Sequence, residues 1–210
     1  MLIVWGRATS INVQKVMWAV GEIGISHKRI DVGGRFGGLD TPAYLGMNPH
    51  RRVPTIDDNG VIVWESNAII RYLAARYSKG VLWDQDPGVR AQADQWMDWM
   101  QTTLAPDFYA VFWAVVRTPA DRQDRAAIKD LTKRLTTHYE LLDRQLATRL
   151  WLVGNRLSLA DIAVGVTLYR YYEMEIDRPA LSNLRAWYER LKERLAYRDH
   201  VMISFEELRG

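Results

Sequence analysis

Cysteine does not occur anywhere in the 210 residues. Its absence excludes disulfides, thiolate-ligated zinc, iron–sulfur clusters and any mechanism in which the protein supplies a thiol. Long apolar runs are also missing. Stretches such as Val111 to Val116 fall far short of the roughly 18–20 residues that cross a bilayer, so no membrane span is expected. Charge of one sign never accumulates either. Lys and Arg number 28 against 25 Asp and Glu, and the basic residues are interspersed with acids along the whole chain. Without a basic stripe, nucleic acid is not an expected partner. The opening Met1-Leu2-Ile3-Val4-Trp5 has no basic region and no cleavage site, which leads us to expect a cytoplasmic protein. Walker, G-x-S-x-G and H-E-x-x-H signatures are absent, and His27, His50, His138 and His200 are scattered, so no metal site is expected.

What is present is material for folding. Apolar residues make 48% of the chain and Trp occurs 9 times, which suits a globular protein of one or two domains. Leu2 to Trp5 reads as a buried strand, and Val13, Val16, Met17, Val20 and Ile23 then recur at helical spacing up to a capping Gly24. Lys28 to Val32 gives a second strand, which makes a β-α-β unit with parallel strands. Residues 33–52 read as loop, with four glycines between Gly33 and Gly38 in an order that does not fit a dinucleotide site. Thr55-Ile56-Asp57 and Val61 to Trp64 flank Asp58-Asn59-Gly60 as a hairpin, and a helix follows from Ser66. The order β-α-β, long connection, β-β-α is a thioredoxin-like topology for residues 1–80.

Residues 81–88, with Asp84 to Asp86 and Pro87-Gly88, read as a linker, and 89–210 as an all-α domain. There Ile128, Leu131, Leu135, Tyr139, Leu142, Leu146 and Leu150 form one apolar stripe, expected to pack within its own domain. Ser158-Leu159-Ala160-Asp161 is a capping box with Asp in the usual Glu position, and losing Asp161 is expected to cost about 0.5–2 kcal/mol. A further helix is expected over 183–195.

Three places combine a helix start with polar side chains. Ser10 and Asn12 lie between the first strand and first helix, where they suit an N-cap but also the end of the sheet at which open α/β folds bind ligands. Arg51-Arg52-Val53-Pro54 precedes the third strand, with a proline that fits a strand's first residue or a cis bond. Glu65-Ser66 opens the third helix, again a cap or an anion site.

In this order and spacing, these residues and the Ser158-x-x-Asp161 box resemble the cytosolic glutathione transferases of bacterial, serine type over essentially the whole chain. The resemblance implies a glutathione S-transferase with glutathione as co-substrate, a small hydrophobic electrophile as second substrate, a role in detoxification, and a homodimer. Ser10 matches the hydroxyl that activates the thiol in theta- and delta-like classes. Asn12 matches a thiol-stabilising asparagine of the nu class, and which of the two dominates is open. By the same resemblance, Val53 beside Pro54 meets the cysteinyl part of glutathione, Glu65 and Ser66 hold its γ-glutamyl end, and Arg51 or Arg52 serves its glycyl carboxylate. The electrophile site is expected to be apolar and to lie between the domains, drawing on Phe108, Tyr109 and Phe112. A glutathione-dependent peroxidase or disulfide-bond reductase, and a non-catalytic scaffold on the same fold, are the alternatives.

Overall fold

Alternation and β-branching in Leu2–Trp5 (β1) put Leu2 and Val4 on the buried face, with 2% and 0% exposure. Val4 faces Arg29 in the parallel strand β2 (His27–Ile30) and Ile56 in the antiparallel strand β3 (Thr55–Asp58). With β4 (Val61–Trp64) antiparallel to β3, the sheet order is β2-β1-β3-β4. Helix α1 (Ile11–Ile23) buries Val13, Val16, Trp18 and Val20, and ends where Gly24, at φ 76°, returns its N–H to the Val20 carbonyl. Helix α3 (Ser66–Tyr77) buries Ile69, Ile70 and Leu73 against α1. Each such side chain contributes roughly 1.5–3 kcal/mol on burial, so the α1–α3 contact anchors the helix ends that carry the polar residues. The expected β-α-β, β-β-α order is therefore observed. The connection read as loop holds a short helix, α2 (Pro42–Met47), with Thr41 as its cap: Thr41 Oγ1 accepts from the Tyr44 N–H at 3.3 Å.

The structure is a computed structural model that describes residues 1–210, and its contacts divide the chain into two units. Residues 1–85 and 195–203 form the first, and residues 86–194 with 204–210 form the second. The first unit thus includes α10 (Leu195–His200), which packs on α1 with Tyr197 edge-on to Trp18, ring centroids 4.7 Å apart. The second unit is helical: α4 (Pro87–Trp99), α5 (Ala105–Phe112), α6 (Arg125–Leu146), α7 (Leu159–Gly165), α8 (Leu168–Glu173) and α9 (Ser182–Lys192). Single π-helical stretches at Met100–Leu104 and Trp113–Arg117 bracket α5. Leu135, Tyr139, Leu142 and Leu146 of the apolar stripe are buried, and α6 packs on α5 and α9. Leu150, beyond the end of α6, is exposed. No helix is long and apolar enough to cross a membrane.

Candidate glutathione site

The strand-to-helix junction is tight. Gly6 has φ 151°, and a Cβ there would lie 2.4 Å from Val13 Cγ2, so only glycine lets the chain leave β1 beneath α1. Ser10 is the N-cap residue of α1 and its carbonyl accepts the Gln14 N–H at 2.8 Å, but its hydroxyl makes no capping hydrogen bond. A serine at this position ordinarily spends its oxygen on the helix. Here the half-buried hydroxyl is left for another partner, beside the positive end of a helix of 13 residues.

The start of α3 faces the same helix. Glu65 precedes it with φ 69° and ψ 114°, a conformation costly for a side-chain-bearing residue and one that accumulates at ligand sites. The Glu65 side chain is exposed and Ser66 is buried. Ser66 Oγ donates to Asn12 Oδ1 at 3.2 Å, which joins the two polar helix starts directly. Beneath them lies a residue that the sequence reading passed over. Lys15, with no exposed surface, donates from Nζ to Ser66 Oγ at 3.0 Å and to Asn67 Oδ1 at 2.9 Å. Burial pulls its ammonium down to about 7, the Glu65 carboxylate opposes that, and the Arg71 guanidinium adds to it. The available signal was its position three residues after Asn12, on the same side of α1.

The third element is the turn into β3. The Val53–Pro54 peptide is cis. Upstream, Tyr44 Oη donates to the Arg52 carbonyl at 2.6 Å and lies 2.9 Å from Thr55 Oγ1. Asn48 Nδ2 donates to the same two oxygens, each at 3.0 Å. Four polar groups thus clamp the chain on both sides of Val53-Pro54. Arg51, at φ 54°, and Arg52 are both exposed.

In the helical unit the expected aromatic residues part company. Phe108 is fully buried and Phe112 nearly so, stacked at 6.3 Å, with the Arg170 guanidinium 4.8 Å from the Phe112 ring centroid. Tyr109 is 38% exposed and touches Phe108 edge-on at 5.9 Å. The one-in-four turn repeat places Phe108 and Phe112 on the core face of α5, so they carry the helix rather than offer free surface. Ser158 and Asp161 form the expected box. Asp161 accepts from the Ser158 N–H at 2.9 Å, from the Ser158 hydroxyl at 2.6 Å and from the Leu152 N–H at 2.9 Å.

The family models for the glutathione S-transferase N-terminal domain and C-terminal domain match residues 9–76 and 125–190. Glutathione S-transferase GstB of Escherichia coli is 38% identical over 205 residues, which cover 97% of this chain and 99% of that one. Among solved structures, the theta class glutathione S-transferase from Xanthomonas axonopodis pv. citri with glutathione bound superimposes with a TM-score of 0.92 at 44% identity, covering 97% and 98% of the two chains. A delta-class glutathione transferase from Nilaparvata lugens superimposes with a TM-score of 0.85 at 27% identity, covering 95% and 92%. A mixed four-stranded sheet flanked by α1 and α3, followed by a helical unit, is the fold these proteins share with the chain. The chain belongs to the glutathione S-transferase family.

Proposed function

We propose that this transferase binds glutathione at the first unit, holds its sulfur as a thiolate beside Ser10 and Asn12, and directs it at a small apolar electrophile. A free thiol has a pKa near 8.5, so only a few per cent is ionised at neutral pH. Making thiolate the major form takes a lowering of about two pKa units, or about 2.7 kcal/mol of preferential stabilisation. A hydroxyl from Ser10, the amide of Asn12 and the N-terminus of α1 are three donors of the right kind for that anion. The observation that carries the reading is the Ser10 hydroxyl, left uncommitted by its own helix. Catalysis then consists of orienting glutathione and stabilising its charge, with no covalent step on the protein.

In this reading Glu65 and Ser66 receive the γ-glutamyl amine and carboxylate, the Val53 backbone beside Pro54 pairs with the cysteinyl residue, and Arg51 or Arg52 meets the glycyl carboxylate. Tyr109 is the α5 aromatic that meets the electrophile, supported by Phe108 and Phe112. The protein acts in the cytoplasm, as a homodimer, in detoxification. Titration calorimetry with glutathione tests the first site: a Kd at or below about 1 mM is expected. Absence of heat at millimolar glutathione would overturn the assignment and favour a scaffold role.

A further inference from the structure

The only lysine of α1 is also one of the largest fully buried side chains in the molecule. A buried cation is costly unless an anion or several acceptors compensate it. Lys15 has two neutral acceptors, Ser66 Oγ and Asn67 Oδ1, and the negative charge acting on it is that of Glu65, an exposed residue. The arrangement also fixes a direction. Lys15 Nζ donates to the Ser66 oxygen, so the Ser66 proton points elsewhere. In the free protein that proton goes to Asn12 Oδ1. Oδ1 being the acceptor, the Asn12 amide keeps its N–H groups for donation outward.

We propose that Lys15 is the positioning residue for the α-carboxylate of glutathione's γ-glutamyl end, acting through Ser66: it turns the Ser66 hydroxyl outward as a donor and supplies the positive charge beneath the anion. The inference rests on the reading that Ser66 receives that carboxylate. A bound carboxylate is the anion that the buried ammonium lacks, and a charged neighbour makes the hydroxyl a stronger donor. The device selects for a γ-glutamyl thiol over a thiol without that carboxylate.

Steady-state kinetics of Lys15→Met, Ser66→Ala and the double variant, with glutathione and with the dipeptide cysteinylglycine as thiols, test it. Lys15→Met should raise KM for glutathione about tenfold, with kcat moving less than about twofold. Its kcat/KM with cysteinylglycine should stay near the wild-type value, so the preference for glutathione collapses. Ser66→Ala should raise KM likewise, and the double variant should be no worse than the poorer single one. If Ser66→Ala raises KM while folded Lys15→Met does not, the role of Lys15 is refuted and the Ser66 assignment stands. If neither changes KM, the γ-glutamyl reading itself is refuted. An equal loss with both thiols would mean that Lys15 acts on the fold or on Asn12 rather than on the carboxylate, which also overturns the proposal. Should Lys15→Met fail to fold, Lys15→Gln, which keeps N–H donors without the charge, is read in the same way.

Discussion

A carboxylate with no exposed surface, as Asp161 is, stands in its less favourable form when ionised. Burial pushes Asp161 up to about 6, against the hydrogen bonds from Leu152 and Ser158 that favour the charge. Because the folded value exceeds the unfolded one, the native state holds the extra proton between about pH 4 and pH 6. The residue therefore contributes more stability at the acid end of that window and loses it as pH rises through 6, by about 3 kcal/mol in all. Urea midpoints of Asp161→Asn, compared with wild type from pH 4 to pH 6.5, should lack this fall. The capping box was legible from four residues of sequence, but its depth was not. Three donors converge on a carboxylate of 0% exposure, so Asp161→Ala should cost about 2–4 kcal/mol, above the range expected of a surface cap. Ser10 shows the opposite limit. Sequence placed it at the helix start, and only the structure shows that its hydroxyl is not used there.

At the scale of elements, α2 and the turn it supports explain how a loop becomes an ordered edge of the sheet. Tyr44 sits on a helix of six residues, too short for apolar periodicity to reveal. Its hydroxyl, with Asn48, ties Arg52 to Thr55 across Val53-Pro54. Tyr44→Phe should lower stability by about 1 kcal/mol. If the clamp sets the Val53 backbone, KM for glutathione should rise about fivefold as well; loss of stability with an unchanged KM would separate the turn from binding. Lys15 escaped notice because charge on an amphipathic helix reads as a solvated face. Its burial follows from α3 packing over α1, a non-local contact. The return of α10 to the first unit was equally hidden, since Tyr197 finds Trp18 from nearly the far end of the chain.

For the molecule as a whole, the layer architecture was readable from short apolar or β-branched runs set off by the Asp58-Asn59-Gly60 turn and from helical spacing between them, although burial alternates strictly only in β1. The helical unit begins where strand signals stop. Aromatic residues were the weak point: a Phe at helical spacing says that a face is apolar, not whether that face is covered, and Phe108 and Phe112 are. The homodimer proposed above belongs to this scale. Light scattering at micromolar protein should give about twice the 24.3 kDa chain mass, and a value near the chain mass would refute it.

Thiol activation is tested most directly by the ionisation of the thiol itself. The ultraviolet absorbance of bound thiolate, followed against pH, should give a pKa about two units below the 8.5 of a free thiol. In Ser10→Ala or Asn12→Ala it should climb back by about one unit, the larger rise marking the principal donor. A bound thiol that ionises near 8.5 in the wild-type protein, or a lowered value that neither substitution moves, would contradict activation at the start of α1.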